Sequence, residues 1–264
     1  MRIAVNDTAL ECRIEGPPDR PWLVFSNSLM TNLTMWDAQA AALASDYQIL
    51  RYDQRGHGGS DVPTEPFTIA GLTDDLVALM DAFDIERAFV VGSSMGGVTA
   101  LSLACRRPHR ALGLVVAGSQ WAAPETAVTT WEDRIAMTAG GMEAIVEPTM
   151  ARWFTPASIV AHGPALDRVR AMIRTTPREG FAACARALQR YDLRDEVAAI
   201  RVPTLFVVGE SDAVLPVMRR MHEAVAGSQW ASIAAAGHLP SIEQAETFTA
   251  AVTAFLQGAE GAIA

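Results

Sequence analysis

Apolar residues fall along this chain in two rhythms. Short continuous runs, Trp22-Leu23-Val24-Phe25, Ala88-Phe89-Val90-Val91, Leu112 to Ala117 and Thr204 to Val208, have the length and branched content of strands buried on both faces of a parallel sheet. Tyr47 to Tyr52 and Trp230 to Ile233 read as two more strands. Residues 2–6 and 10–15 alternate apolar and polar around Asn6-Asp7, which fits a hairpin. The second rhythm is helical. From Ile69 to Phe83 the apolar positions Leu72, Leu76, Leu79, Met80 and Phe83 share one face, and the last stretch repeats this with Ile242, Phe248, Val252, Phe255 and Leu256. Asp37 to Ala44 and Gly97 to Ala104 complete the helical set. Strands and helices in alternation predict an α/β fold: a mostly parallel sheet of about eight strands with helices on both faces.

The alternation stops across residues 121–196. This stretch holds Trp121, Trp131 and Trp153, several methionines, and helical spacing interrupted at Pro124, Pro148, Pro156, Pro164 and Pro177. It reads as a helical cap inserted before the late strands, with residues 1–120 and 197–264 forming the core, and it is expected to supply apolar walls to a pocket.

One junction between the rhythms carries chemistry. The Ala88–Val91 run leads straight into Gly92-Ser93-Ser94-Met95-Gly96, and a small-residue helix begins at once. A strand-to-helix turn this tight strains the backbone at Ser94, and its glycine neighbours let the chain pass. The Ser94 hydroxyl is thereby aimed into a crevice above a helix N-terminus. A serine hydroxyl needs a base, because its own pKa leaves it a poor nucleophile near neutrality. Of five histidines, His57 lies in a tight loop, His109 beside Pro108, His162 in the cap and His222 on a helix. His238 follows Gly237 just past a late strand and so emerges at the same sheet edge as Ser94. The carboxylate that orients this base is expected at Asp212, after the Thr204–Val208 strand, with Glu210 as competitor; Ser119-Gln120 offers no acid after the preceding strand. The chain order Ser94, Asp212, His238 suits this architecture. Two backbone N–H donors should receive an oxyanion, each worth roughly 3 kcal/mol. Met95 supplies one, and the turn after Phe25 the other, with Ser28 preferred and Leu29 next.

Charge and composition narrow the partners. A net charge of −9 argues against nucleic acid, which needs clustered Lys and Arg. Cys12, Cys105 and Cys184 are odd in number and widely spaced, so neither a disulfide framework nor a metal site is expected. No apolar run approaches membrane-spanning length, the N-terminal residues lack a signal-peptide core, and the cytoplasm is the default location. The sequence carries no sign of oligomeric state.

Together these residues, with the loop Asp53-Gln54-Arg55-Gly56-His57-Gly58-Gly59-Ser60, resemble the α/β-hydrolase fold family over essentially the whole chain. Ser26-Asn27-Ser28-Leu29 followed by Met35-Trp36, and in the cap Trp131-x-x-Arg134, Ala151-Arg152-Trp153-Phe154-Thr155 and Tyr191-Asp192-Leu193-Arg194, are similar to the 3-oxoadipate enol-lactonases of aromatic catabolism. Met30 stands where that group usually has Gly, and Ser93 where an aliphatic residue is expected. The resemblance implies a serine hydrolase that opens an enol-lactone through an acyl-enzyme on Ser94, without metal or organic cofactor. The substrate would carry a carboxylate, met by Arg134 with Trp131 and Trp153 as walls. A general carboxylesterase or a C–C bond hydrolase shares the same machinery, and a non-catalytic binding protein could keep the pocket without turnover.

Overall fold

The computed structural model describes residues 1–263. Eight strands form one sheet: β1 (Arg2–Val5), β2 (Thr8–Glu15), β3 (Trp22–Ser26), β4 (Gln48–Tyr52), β5 (Ala88–Ser93), β6 (Ala111–Ala117), β7 (Thr204–Gly209) and β8 (Gln229–Ile233), in the order β1-β2-β4-β3-β5-β6-β7-β8. The hairpin turns at Asn6-Asp7, so that Val5 pairs with Thr8, and β2 runs antiparallel to β4. Every other pairing is parallel. All the site-bearing strands therefore end at one edge, where an open α/β sheet presents its ligand crevice.

Helices cover both faces because successive strand residues point to opposite sides. Leu23, Phe25, Val91, Val115, Leu205 and Val207 pack with Trp36, Phe248 and Phe255, toward α1 (Asp37–Leu43) and the C-terminal α12 (Ala245–Ile263). Val24, Leu50, Val90, Leu114, Val116 and Phe206 pack with Leu76, Leu101 and Met218, from α2 (Ile69–Ala82), α3 (Met95–Arg106) and α10 (Leu215–Ala224). The helix expected from Ile242 onward is broken. A short α11 (Pro240–Glu243) ends at Gln244, whose non-helical backbone (φ −132°, ψ +58°) separates it from α12.

Between β6 and β7 the chain makes α4 (Ala127–Met137), α5 (Glu143–Trp153), α6 (Pro156–Ala161), α7 (Pro164–Thr175), α8 (Arg178–Ala187) and α9 (Arg194–Val197). The prolines punctuate as their chemistry requires. Pro156 and Pro164 open helices, where a missing N–H costs nothing, and Pro148 is accommodated inside α5. The neck of this segment is clasped: Leu193 N–H donates to the Trp121 carbonyl (2.8 Å) and Ala123 N–H to the Tyr191 carbonyl (2.9 Å), around a bridge between Ala122 and Asp192. Among the described residues no helix is long and apolar enough to cross a membrane, and no group of three or more His, Cys, Asp or Glu is placed to hold a metal.

Candidate active site

Ser94 sits where β5 gives way to α3, with φ +53° and ψ −113°, a left-handed conformation that non-glycine residues rarely adopt. Its backbone is pinned by two bonds: its N–H donates to the Ala117 carbonyl (2.8 Å), and its carbonyl accepts from the Ser119 hydroxyl (2.9 Å). The glycines on either side are steric requirements. A Cβ on Gly92 would lie 2.2 Å from the Gly96 carbonyl oxygen, and one on Gly96 only 2.0 Å from that of Ser26.

His238 arrives from the loop after β8, and its Nε2 stands 2.9 Å from Ser94 Oγ. Its Nδ1 lies 2.9 Å from Asp212 Oδ2, and because a carboxylate only accepts, the proton resides on Nδ1 and the Nε2 lone pair faces the serine. Burial would raise the Asp212 carboxyl, but the His238 imidazole, a bond from the Val214 N–H and the charge of Arg152 outweigh it and hold the group below the usual carboxylate range. Trp153 stacks on the imidazole, ring centroids 6.3 Å apart, and its carbonyl accepts from the His238 N–H (2.7 Å). Ser94, His238 and Asp212 thus form one hydrogen-bonded line, whereas His109, His162 and His222 lie elsewhere and Glu210 takes no part in it.

The donors above the serine differ in one respect from the sequence expectation. Met95 N–H is the first of α3 and has no intrahelical partner, so it is available. Ser28 is not the second donor: its N–H is spent on the Met35 sulfur (3.4 Å) and the residue is fully buried, away from the cavity. Leu29, the next residue, lines the cavity, and its N–H has no acceptor among the described residues. The strand-end turn is held open by the loop after β4. Gln54 Nε2 donates to the Asn27 carbonyl (2.6 Å), Asp53 Oδ1 accepts from Leu33 N–H (2.6 Å), and His57 Nε2 accepts from Met30 N–H (2.9 Å), fixing Met30 at φ +59°. Burial lowers the His57 pKa to about 4, so the ring stays neutral and keeps this acceptor.

A cavity of about 220 Å³ opens over Ser94, walled by Leu29, Met95, Trp131, Trp153, Tyr191 and His238. Two guanidiniums enter it. Arg134 Cζ lies 5.9 Å and Arg152 Cζ 5.8 Å from the Trp131 ring centroid. Arg134 Nη2 donates to Thr149 Oγ1 (2.7 Å), while its buried Nε has no partner among the described residues. Burial and the neighbouring Arg152 push the Arg134 pKa down to about 10, and burial lowers that of Arg152, although Arg152 remains open to the cavity's solvent. Neither arginine has a carboxylate within ion-pair reach among the described residues. Two guanidiniums, neither of them ion-paired, thus share one cavity with Ser94.

The sequence model of the alpha/beta hydrolase fold matches residues 21–245. The chain belongs to the α/β-hydrolase family. Within that family it is 36% identical over 251 residues to 3-oxoadipate enol-lactonase 1 of Acinetobacter baylyi, covering 94% of this chain and 93% of that one. The crystal structure of the enol-lactonase from Burkholderia xenovorans LB400 superposes with a TM-score of 0.93 at 36% identity, covering 97% of this chain and 100% of that one. A malate-bound thermophilic esterase from Thermogutta terrifontis superposes with a TM-score of 0.92 at 26% identity, over 98% and 99% of the two chains. This α/β-hydrolase places Ser94, His238, Met95, Trp131, Arg134 and Trp153 around one cavity, with Asp212 behind His238 and bonded to its Nδ1. Arg152 joins them, a residue that the sequence shows only within the run Ala151-Arg152-Trp153-Phe154-Thr155. A second arginine on the cavity side of a helix already carrying Trp153 is the signal that could have found it.

Proposed function

We propose that the protein hydrolyses 3-oxoadipate enol-lactone to 3-oxoadipate, using Ser94 as nucleophile, His238 as base and acid, and Asp212 to orient the base. The observation that carries this reading is the pair of arginines, neither of them ion-paired, in the same small cavity as Ser94 and His238. A neutral ester has no use for them, whereas a lactone bearing a side-chain carboxylate does. The substantial identity to enol-lactonases supports the same substrate class.

In this mechanism His238 Nε2 takes the Ser94 proton as Oγ attacks the lactone carbonyl. The tetrahedral oxyanion is received by the Leu29 and Met95 N–H groups, which need not reorganise to do so. Collapse breaks the ring C–O bond, and the imidazolium protonates the departing enol oxygen. That oxygen stays tethered to the acyl group, and an ordinary alcohol in its place would readily close the ring again. Ketonisation removes it as a nucleophile. Water, deprotonated by the same imidazole, then attacks the acyl-enzyme, and Ser94 regains its proton as 3-oxoadipate leaves. The buried, ionised Asp212 stabilises the imidazolium through both steps. Residues 121–196 act as the cap: they bring Trp131, Arg134 and Arg152 over the core, Arg134 and Arg152 to hold the substrate carboxylate and the tryptophans to exclude water.

Hydrolysis of the enol-lactone, measured beside a panel of neutral p-nitrophenyl esters with wild type and Ser94→Ala, tests the reading. A strong preference for the lactone, abolished in Ser94→Ala, is expected. Rapid turnover of short neutral esters with no lactone activity would replace the lactonase by a general carboxylesterase, and cleavage of a vinylogous diketone alone by a C–C hydrolase.

A further inference from the structure

One carboxylate outside the serine line ties two other segments of backbone to α11. Glu243 ends α11, five residues after His238. Its Oε1 accepts from the Thr155 N–H (2.8 Å) and the Thr155 hydroxyl (2.6 Å), and its Oε2 accepts from the Gly237 N–H (2.7 Å). Thr155 is the joint between α5 and α6, and its hydroxyl also caps α6 by accepting from the Ser158 N–H (3.3 Å). Gly237 immediately precedes His238. Beside this cluster runs the bond from His238 N–H to the Trp153 carbonyl, and the two strands of chain approach so closely that a Cβ on Gly237 would lie 2.4 Å from that carbonyl oxygen. The stretches 153–155 and 237–238 are therefore stitched together, largely through one acidic side chain whose hydrogen bonds are of the strong, charge-assisted kind.

The stitch lies between the two halves of the site. Arg152 directly precedes Trp153, faces the cavity, and exerts its charge on Asp212. Trp153 stacks on the His238 ring. The end of α5 thus carries an anion-reading cation toward the substrate and a wall for the imidazole on the adjoining residue. None of the bonds to Glu243 belongs to the sheet or to a helix core.

We propose that Glu243 is a positioning residue that locks the His238 segment to the α5–α6 joint, so that a substrate seated on Arg152 also fixes the imidazole over Ser94. The inference rests on His238 being the base of the proposed reaction. It has a kinetic consequence: a carboxylate-bearing substrate gains in kcat as well as in KM over a neutral ester, and that gain depends on Glu243.

Glu243→Gln keeps an acceptor for Thr155 but sets an amide N–H against the Gly237 N–H, while Glu243→Ala removes both halves of the lock. The measurements are kcat and KM for the enol-lactone and for p-nitrophenyl acetate, the rate of Ser94 modification by a neutral fluorophosphonate, and the Tm. Both variants are expected to lower the labelling rate and kcat by about 10- to 100-fold, the range in which small misplacements of reacting groups act. KM for the neutral ester should hold, and the kcat advantage of the lactone should disappear. Thr155→Ser, which keeps the hydroxyl, should behave as wild type, and Thr155→Val should fall between; this pair carries the test if the Glu243 variants do not fold. Folded Glu243 variants with wild-type labelling and kcat, whatever their Tm, would reduce the residue to a structural tie and overturn the proposal. A wild-type protein whose Ser94 fails to label, or labels equally well in His238→Ala, would instead overturn the assignment of the base.

Discussion

Adding a single methyl group at Gly96 should disable the oxyanion site while leaving the serine line in place. In an exposed helix, Gly→Ala is stabilising by up to about 1 kcal/mol. Here the sign reverses. The new Cβ would meet the Ser26 carbonyl oxygen at 2.0 Å and the Asn27 carbonyl oxygen at 2.7 Å, both backbone atoms at the end of β3. Carbon–oxygen contacts settle at about 3.3 Å or beyond, so α3 and the β3 turn must part by about 1.3 Å. Those are the two elements that carry Met95 N–H and Leu29 N–H. Loss of one oxyanion donor costs about 100- to 1000-fold in kcat, and overpacking costs about 1–3 kcal/mol of stability. Gly96→Ala is therefore expected to fold with a lowered Tm, to bind substrate with nearly unchanged KM, and to lose about 100-fold in kcat. Steady-state kinetics and a thermal melt decide it. A folded variant with wild-type kcat would refute the placement of the oxyanion between α3 and the β3 turn.

Two further perturbations probe the rest of the site. Arg134→Met and Arg152→Met should each lower kcat/KM for the enol-lactone by on the order of 30-fold, the equivalent of about 2 kcal/mol for a hydrogen bond to a charged group, while kcat/KM for a neutral p-nitrophenyl ester falls less; equal losses on both substrates would contradict the anion-receptor role. His57 is held near pKa 4 by burial, against 6.5 when exposed. Its folded value is depressed, so the stability it confers is complete above pH 6.5 and drains away as pH falls toward 4, by roughly 3 kcal/mol in all. Urea titrations of wild type and His57→Gln across that range should show the wild type losing more, and parallel curves would remove His57 as the cause.

Much of this arrangement could be read from the order of residues. The continuous apolar runs marked the inner strands because both faces of β3, β5, β6 and β7 are covered. Ser94, Asp212 and His238 could be placed at one edge because each follows a strand of the same parallel set. What escaped depends on contacts between distant segments. The turn residues Ser28 and Leu29 look equally able to present an N–H, and only the Met35 sulfur folding back onto Ser28 separates them. Arg152 and Arg134 look alike in sequence to the solvated arginines of neighbouring helices, and their lack of an ion-pair partner among the described residues emerges only when nearby carboxylates are found to be engaged elsewhere, Glu132 with Arg186 and Glu147 with Arg170. The break at Gln244 was hidden by an uninterrupted helical periodicity, and Glu243 gains its importance from Thr155, 88 positions away.

The two-stranded clasp at Trp121–Ala123 and Tyr191–Leu193 bears on how such a protein can change over time. It closes the neck of the helical segment independently of whatever lies beyond, so the entropy of returning the chain to the sheet depends only weakly on the length enclosed. Residues 124–190 can then be exchanged as a cassette, with the hydrolytic centre left standing and the range of molecules it accepts rewritten. One stipulation travels with every replacement: whatever fills that interval must still bring a carbonyl to the His238 N–H and an N–H to the Glu243 carboxylate.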